Sequence, residues 1–293
     1  MEDKIGIVTV LYKSSSVLEE FFATLQIQEY KNFVLYAVNN ASPDDSVELV
    51  NKYSKDCDFE TKLIDCKENF GIAKGNNIGI EQALKEGCDY ILIANNDIIL
   101  NEKSISELLK ELKNKNEFIA VSKIYMLNGN LWFAGGRFKK LSFRSQHIGF
   151  DEKDEGQYDQ EKFITYSPTC FMLVKKEVFD NVGLMDERYF VYWDDTDFVY
   201  RAQLKEYNIL YVPSSTIVHK VSVSTGNGSD FYYRYIFRNR IFFIKKFSKC
   251  KAWNYFIDYT YLYTIRLVKM RKNIRQWKII RDAMKEGHKK EFE

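Results

Sequence analysis

The chain has 293 residues, of which 45% are hydrophobic and 29% charged, as expected for one large globular domain with an appendage or for two modest domains. The 3 prolines and the even spread of apolar residues exclude a collagenous or linker-rich chain. The 5 cysteines are scattered without a Cys-x-x-Cys pair, which argues against a zinc or redox motif and favours a reducing cytoplasm. We expect neither a signal peptide nor a spanning helix, because no stretch has the required apolar length.

Charge is distributed unevenly along the chain. From Phe231 to the end there are seventeen Lys and Arg against five Asp and Glu, so this segment is near +12 and the remainder near −10. Such a split indicates an anionic partner, for example the inner face of the cell membrane. The aromatic residues between the basic ones would equally serve helices that pack on the rest of the chain or in a homodimer, so both alternatives stay open. No nucleic-acid-binding module is recognised, and nucleic acid is not expected as a partner.

Strand and helix patterns alternate over roughly the first 125 residues. Apolar, β-branched runs predict strands at 5–11, 33–38, 59–64, 90–94 and 118–124. Helical spacing predicts helices between them, the first with its N-cap among Ser14, Ser15 and Ser16 and a later one at 104–113. Strands that alternate with helices in this way predict an α/β fold, with a mostly parallel sheet and helices on both faces.

The pattern is looser beyond residue 125. We predict a hairpin-like region at 128–163, in which the charged stretch 151–161 is a solvated loop. A strand at 170–174, a helix at 176–182, a helix that begins at Asp194 and strands at 209–212 and 216–219 follow. From Phe231 onward only helices are predicted. This organisation suggests one domain over residues 1–228, with halves at about 1–125 and 126–228, and a basic, aromatic-rich helical region over 229–293.

Three polar clusters follow predicted strands, where ligands of open α/β sheets bind. They are Asn39 to Asp44, Asn69 to Asn77 and Asn95 to Asp97. The Gly/Asn-rich stretch 69–77 could present backbone N–H groups to an anion with Lys74 adding charge, although an ordinary turn explains it equally well. A carboxylate at a strand end, such as Asp97, is well placed to hold a divalent cation that also binds phosphate oxygens, and a helix cap is its alternative role.

Two further features suggest chemistry. Asp194, Asp195 and Asp197 directly follow an aromatic run, and at a helix start Asp194 and Asp197 would share a face while Asp195 points elsewhere. The alternative is that all three acids simply stabilise the helix N-terminus. His219 ends a β-branched strand and is either a structural residue or a ligand for a divalent metal.

These clusters, in this order, resemble the inverting family 2 glycosyltransferases of GT-A fold, especially the bacterial branch of rhamnosyltransferase-like and galactofuranosyltransferase-like enzymes. The resemblance covers about residues 5–240. It rests on Ile7-Val-Thr-Val-Leu-Tyr12, Val38-Asn-Asn-Ala-Ser-Pro-Asp44, Asn69-Phe-Gly-Ile-Ala-Lys-Gly-Asn-Asn-Ile-Gly79, Asp89-Tyr-Ile-Leu-Ile-Ala-Asn-Asn-Asp97, Val182-Gly-Leu-Met-Asp-Glu187, Phe190-Val-Tyr-Trp-Asp-Asp-Thr-Asp197, Tyr211-Val-Pro213 and His219.

The resemblance implies a GT-A, Rossmann-like domain that transfers one sugar from a nucleotide-diphosphate sugar, most simply a UDP or dTDP sugar, to a hydroxyl of a saccharide or lipid-linked saccharide. It implies bacterial surface polysaccharide synthesis in the cytoplasm, with peripheral association to the membrane as an open alternative. The implied residues are Asp195 as catalytic base, Asp97 and His219 as ligands of Mn²⁺ or Mg²⁺, Trp193 and Asp194 for the acceptor, and Leu11, Tyr12, Asn39, Asn69, Lys74, Asn76 and Asn96 for the donor.

This sequence departs from the family pattern at three positions. Asn39 stands where an aspartate is usual, Asn95 replaces the first acid of the D-x-D motif, and Thr169 stands where glycine is frequent. An amide can both donate and accept hydrogen bonds, so we expect nucleotide binding with an altered preference. The alternatives are a sugar nucleotidyltransferase, whose Gly-rich basic loop after the first strand is absent here, and a catalytically silent nucleotide-sugar binder.

Overall fold

The structure of the protein is a computed structural model that describes residues 2–139, 142–220, 229–268 and 274–289, with 265–268 described through their backbone alone. The chain divides into two compact units. The first contains the described residues of Met1–Arg137, Gln146–Phe190 and Asp194–Ser224, and the second those of Phe138–Ser145, Val191–Trp193 and Thr225–Glu293.

Strands and helices alternate at the start of the chain, as the apolar periodicity predicts. The strands are β1 (Ile5–Leu11), β2 (Phe33–Asn39), β3 (Glu60–Asp65), β4 (Tyr90–Ala94), β5 (Ile98–Leu100), β6 (Ile119–Met126), β7 (Leu131–Phe133), β8 (Gly136–Lys139), β9 (Arg144–His147), β10 (Lys162–Ile164), β11 (Phe171–Lys175) and β12 (Ile209–His219). The helices are α1 (Leu18–Gln26), α2 (Ser46–Tyr53), α3 (Ile72–Lys85), α4 (Ser104–Lys115), α5 (Lys176–Val182), α6 (Asp194–Leu204), α7 (Asp230–Phe247), α8 (Lys251–Val268) and α9 (Ile274–Lys289).

The main sheet of the first unit has the strand order β10-β12-β6-β11-β4-β1-β2-β3. Strands β4, β1, β2 and β3 pair in parallel, as do β6 and β12, whereas β11 lies antiparallel between β4 and β6. Every residue of β2 is buried, as is usual for a parallel strand covered on both sides. The predicted α/β fold is therefore confirmed.

Close packing fixes helix α3 on the sheet. Gly75 and Gly79 lie one helical turn apart, and a Cβ at either position would come within 2.9 Å of Val10 and 2.5 Å of Val8 respectively. Real Cβ atoms do not approach other atoms so closely, so these two glycines allow the helix to lie against β1. The start of α3 is thereby held beside the carboxyl end of β1.

Three local predictions need correction. Residues 209–219 form one strand, β12, whose register shifts between Val212 and Thr216, so the break expected at residues 213–215 is an irregularity inside one strand. The N-cap of α1 is Val17, which makes no side-chain cap, and the hydroxyl of Ser14 accepts a hydrogen bond from the N–H of Tyr12.

The charged loop at 151–161 is also more firmly attached than a purely solvated loop. Its Asp154 lies 2.8 Å from Nζ of Lys123, and Asp159 contacts the same ammonium group. The Lys123 side chain is only 3% exposed, and a buried ammonium requires such carboxylate partners. This strand residue therefore anchors the loop.

The second unit is built around helices α7, α8 and α9. Ile241, Leu262, Ile280 and Met284 form its apolar cluster. Arg238, Arg240 and Phe243 are buried as well and contact Asn239, Asp258 and Phe143 respectively, so these members of the basic, aromatic segment serve packing inside the unit. Exposed aromatic side chains lie on α8 at Trp253, Phe256 and Tyr263. Contact of this region with a membrane or with a second copy of the chain stays a prediction, and within the described residues no helix is both long and apolar enough to cross a bilayer.

Candidate active site at the strand ends

Asn39 is the last residue of β2 and is paired in register with Asp65 at the end of β3. Its amide nitrogen donates to Oδ1 of Asp65 at 2.9 Å, and its amide oxygen accepts from the backbone N–H of Ser42 at 2.9 Å. An aspartate at position 39 would place two like charges in contact, which an amide avoids. Asp65 thus supplies the carboxylate at this edge of the sheet. Asp65 is not among the predicted site residues, because it directly follows the run predicted as strand 59–64.

The loop before α3 is held by the side chain of Asn40, which is 1% exposed. Its nitrogen donates to Oδ1 of Asn69 and to the carbonyl of Gly71, and its oxygen accepts from the N–H of Phe70. Oδ1 of Asn69 also accepts from the N–H of Gly71. Asn69, which is predicted to contact the sugar-nucleotide donor, therefore uses its amide oxygen to hold the loop in shape.

Gly71 occupies a backbone conformation with φ 85° and ψ 175°, which is essentially restricted to glycine. A Cβ at this position would lie 2.3 Å from the carbonyl oxygen of Phe190, which instead accepts a hydrogen bond from Ile72 at 2.6 Å. Gly71 thus brings the loop into contact with Phe190, which precedes the acidic segment that begins at Asp194.

We expect Gly71→Ala to lower the free energy of unfolding by about 3 kcal/mol, because backbone strain and steric overlap both act at this site. Gly87→Ala is the matched control, since Gly87 also has positive φ (79°) but nothing lies within 4 Å of its added Cβ. Only backbone strain of about 1 kcal/mol applies there. Urea unfolding of both variants measures the difference, and equal losses would contradict the steric role of Phe190.

The other residues predicted to bind the sugar-nucleotide donor differ in how exposed they are. Lys74 is 40% exposed on its side chain and lies 4.5 Å above the ring of Phe70. Asn76 is buried and donates to the sulfur of Met185, and Leu11 is fully buried. Thus Lys74 is partly exposed and lies 3.7 Å from a carboxylate oxygen of Glu187, whereas Asn76 is engaged within the protein and Leu11 has only its backbone to offer.

Tyr12 and Asn96 complete this group at the carboxyl end of β1. Tyr12 follows β1 directly and is half-buried, while Asn96 donates to the carbonyl of Val10 at 2.8 Å. The backbone N–H of Asn40 donates to the carbonyl of Leu11 and so ties the ends of β1 and β2 together. Leu11, Tyr12, Asn39 and Asn96 are therefore gathered at one edge of the sheet.

Asp97 and His219 are distant in sequence but adjacent in the structure. Strand β5 pairs antiparallel with β12 and aligns Ile98 with His219. Oδ1 of Asp97 lies 3.3 Å from Nε2 of His219, and the two side chains are 15% and 9% exposed. Burial acts to raise the pKa of Asp97, but the hydrogen bond and charge of His219 outweigh it and hold that pKa below its ordinary value.

This pair fits a divalent cation by the chemistry of its donors. A carboxylate oxygen and an imidazole nitrogen suit Mn²⁺ and related ions, and phosphate oxygens and water usually complete such a site. The Nδ1 atom of His219 is buried and has no hydrogen-bond partner among the described residues. The described part of the chain contains no group of three or more Asp, Glu, His or Cys side chains that could hold a metal, so Asp97 and His219 are the candidate ligands that it provides.

The acidic segment opens helix α6 at Asp194, as predicted. Asp197 is fully buried, lies 2.6 Å from Nε of Arg201 and accepts from the hydroxyl of Tyr189, so it is structural. Asp195 points elsewhere: its Oδ1 accepts from the N–H and hydroxyl of Thr196, and its Oδ2 accepts from the hydroxyl of Tyr166 at 3.3 Å.

Burial raises the pKa values of both Asp194 and Asp195 above the ordinary aspartate value. The charge of Asp195 raises the pKa of Asp194 further, whereas hydrogen bonds from Thr196 and Tyr166 partly stabilise the ionised form of Asp195. A carboxylate with a raised pKa is a stronger proton acceptor than one in water. Asp195 is therefore a candidate for a general base.

Cys170 is a buried residue whose thiol is affected by the charges of both Asp97 and Asp195. Burial raises the pKa of this thiol, and the charges of Asp97 and Asp195 both raise it further. Cys170 lies just before β11, and its carbonyl accepts from the N–H of Asn95 at the end of β4. The two acids, which lie almost a hundred residues apart in the chain, thus act on one buried group.

Aromatic residues that the sequence analysis missed also surround this region. The ring of Trp132 lies 4.6 Å from the rings of both His147 and His219, and His147 lies 5.8 Å from Tyr166. Burial lowers the pKa of His147. The row of rings runs from the neighbour of Asp97 to the neighbour of Asp195. No motif marks these residues, because Trp132 and His147 come from short strands in the region predicted only as hairpin-like and Tyr166 lies in the loop beyond it.

The two residues predicted for the acceptor fall in different units. Asp194 is buried at the start of α6 in the first unit, whereas Trp193 belongs to the second unit and packs against Phe243 with a ring distance of 5.2 Å. Phe190, Tyr192 and Trp193 all have positive φ values. Such strained backbone is frequent at functional sites.

Comparisons with known proteins show the family of the chain. Residues 6–183 match the family described as glycosyl transferase family 2, and the chain belongs to this family and is a glycosyltransferase. It is 28% identical over 242 residues to the low-salt glycan biosynthesis hexosyltransferase Agl10 of Haloferax volcanii. This match covers 82% of this chain and 75% of that protein.

Two further similarities concern an acceptor type and the fold. The chain is 23% identical over 247 residues to the N-acetylglucosaminyl-diphospho-decaprenol L-rhamnosyltransferase of Mycobacterium tuberculosis, with 77% of this chain and 79% of that protein covered. The crystal structure of GalNAc-T7 with UDP, GalNAc and Mn²⁺ aligns with a TM-score of 0.68 at 14% identity, over 98% of this chain and 56% of that one. The GT-A fold expected from the motifs is confirmed.

Proposed function

We propose that the protein is a metal-dependent, inverting glycosyltransferase that moves a sugar from a nucleotide-diphosphate sugar to a hydroxyl of a saccharide or lipid-linked saccharide. The observation that carries this proposal is the row of neighbouring rings that leads from His219, the partner of Asp97, to Tyr166, whose hydroxyl donates to Asp195. This continuous set of contacts supports one site that contains both acids.

On the donor side, Asp97 and His219 would hold Mn²⁺ or Mg²⁺. When bound, the cation supplies positive charge that stabilises the departing nucleotide diphosphate. Tyr12, Asn39, Asn96 and the loop containing Asn69 would surround the nucleotide, with Lys74 near its phosphates. Asp65, which contacts Asn39, would provide the carboxylate that a base or ribose can donate to.

On the acceptor side, Asp195 would take the proton of the attacking hydroxyl. Thr196 and Tyr166 orient its two oxygens, so that the carboxylate does not need to reorganise as the proton arrives. The hydroxyl oxygen then attacks the anomeric carbon from the side opposite the nucleotide. One displacement of this kind inverts the configuration of the transferred sugar.

The acceptor class rests on similarity. The mycobacterial relative is named for an acceptor that carries a sugar on a diphospho-lipid, and Agl10 is named for glycan biosynthesis. We therefore propose a saccharide or lipid-linked saccharide acceptor and a role in surface polysaccharide synthesis, with Trp193 and Asp194 contributing to acceptor binding.

A thermal-shift screen of UDP, dTDP and GDP sugars with Mn²⁺ or Mg²⁺ tests this function. A ligand present at a hundredfold its Kd stabilises the folded state by about 2.7 kcal/mol, which raises Tm by roughly 5 °C. We expect one base to give such a shift only when metal is present, and the matching nucleoside monophosphate to give a smaller one. Unchanged Tm values with every nucleotide sugar and both metals would refute the proposal.

A further inference from the structure

Helix α8 of the second unit buries one of its faces. Asn254, Asp258 and Leu262 follow one another at a spacing of four residues, and none of them is more than 3% exposed. Asp258 pairs with Arg144 and Arg240, and Leu262 belongs to the apolar cluster of the unit. Since side chains four residues apart lie on one side of a helix, these contacts fix which side of α8 faces inward.

The outer face of α8 presents large aromatic side chains to solvent. Trp253, Phe256 and Tyr263 are 52%, 62% and 59% exposed, and the rings of Trp253 and Phe256 lie 5.9 Å apart. Asp258 is the only charged residue between positions 252 and 264, and it lies on the buried face. The outer face is therefore uncharged and aromatic over about three helical turns. A continuous exposed apolar surface of this kind is typical of an interaction site.

Positive charge borders this aromatic face. Lys249 and Lys251 are exposed at the start of α8, and neither forms an ion pair with an acid in the part of the chain that the structure describes. The partly exposed guanidinium of Arg144 lies 5.0 Å from the ring of Tyr261, another exposed aromatic residue of α8. Lysine side chains are long enough to keep their charge in water beside a buried apolar surface.

Charge decides between a second copy of the chain and an anionic bilayer as the occupant of this face. The segment from Phe231 to the end carries a net charge near +12, so a dimer formed through α8 would bring two strongly positive segments together. An anionic bilayer attracts the same charge. Tryptophan and tyrosine are also the residues preferred at the boundary between lipid headgroups and acyl chains. An uncharged face can enter that boundary without the cost of removing a charge from water.

We propose that the outer face of α8 docks the protein on the surface of a bilayer that contains anionic phospholipid. Trp253, Phe256 and Tyr263 enter the boundary between headgroups and acyl chains, and Lys249 and Lys251 contact the lipid phosphates. The helix lies in the plane of the membrane surface and does not cross it. This inference goes beyond the proposed function, because it names the surface on which the enzyme acts and uses no residue of the candidate active site.

Flotation of the full chain with vesicles tests the docking surface. The vesicles are phosphatidylcholine alone or an equimolar mixture of phosphatidylcholine and phosphatidylglycerol, and we expect much tighter binding to the anionic mixture. The double variant Trp253→Ala/Phe256→Ala should bind the mixture at least about tenfold more weakly, because apolar burial is lost. Lys249→Gln/Lys251→Gln should weaken binding about fivefold for each lysine removed. High salt should reduce the binding of wild type, since it screens the charges.

Phe163→Ala and Lys55→Gln are the matched controls. Phe163 is 56% exposed on β10 and Lys55 is exposed after α2, so both belong to the first unit, and both variants should bind vesicles as wild type does.

Wild-type affinity in the Trp253→Ala/Phe256→Ala variant would overturn the proposal, as would equal binding to both kinds of vesicle. A dimer in sedimentation velocity that this variant dissociates, without vesicle binding by wild type, would assign the face to a second copy instead. Nucleotide binding of each variant should equal that of wild type, so failure of the docking proposal leaves the transferase function untouched.

Discussion

Asp195→Asn is expected to lower kcat about a thousandfold, the contribution typical of a positioned general base. The amide oxygen of asparagine can still accept from the N–H and hydroxyl of Thr196, so the local structure should survive. The amide cannot take up the proton of the acceptor hydroxyl. We therefore expect the loss in kcat while the affinity for the donor nucleotide changes by no more than a few fold.

Steady-state transfer kinetics and calorimetric nucleotide binding measure these two effects separately. Asp58→Asn is the matched control. Asp58 is exposed on the surface of the first unit, and Lys31 is its only ion-pair partner among the described residues. Its kcat should equal that of wild type. A kcat for Asp195→Asn that stays close to wild type would remove Asp195 from the mechanism.

Asp97→Asn is expected to weaken Mn²⁺ binding by about a hundredfold, because one of the two proposed protein ligands loses its charge. A direct metal ligand contributes at least as much to metal affinity as the residues that hydrogen-bond to the ligands. Binding of the nucleotide diphosphate should weaken with it, since the cation would contact both partners. Titration of Mn²⁺ with and without nucleotide measures both losses. Asp58→Asn again serves as control, and metal dependence identical to wild type would contradict the assignment of Asp97.

The fold could be predicted because its signals are local. The buried strands β1, β2 and β4 are mostly apolar runs, in which Thr9 and the terminal Asn39 are the polar residues, and the helices between them keep a helical spacing of apolar residues. Strand β12 was predicted as two strands because its bulge between Val212 and Thr216 contains a proline and two serines, which break the apolar pattern without ending the pairing.

The site could be predicted only where motifs mark it. The order of the polar clusters indicates Asp97, Asp195 and His219. Asp97 and His219 lie 3.3 Å apart, and a row of rings leads from His219 to the partner of Asp195. Tyr166, His147 and Trp132 carry no such mark, since their proximity depends on how short strands pair. The contact between Asn39 and Asp65 depends on the register of β2 and β3, which the sequence alone does not specify.

The central claim is that Asp97 binds the metal and with it the donor nucleotide, whereas Asp195 takes the proton of the acceptor hydroxyl. One binding measurement tests this claim most directly. Calorimetry would compare the affinity of the nucleoside diphosphate selected by the screen, in the presence of Mn²⁺, for wild type, Asp97→Asn and Asp195→Asn. We predict near wild-type affinity for Asp195→Asn and strongly weakened affinity for Asp97→Asn. Equal affinities in the two variants would contradict the account.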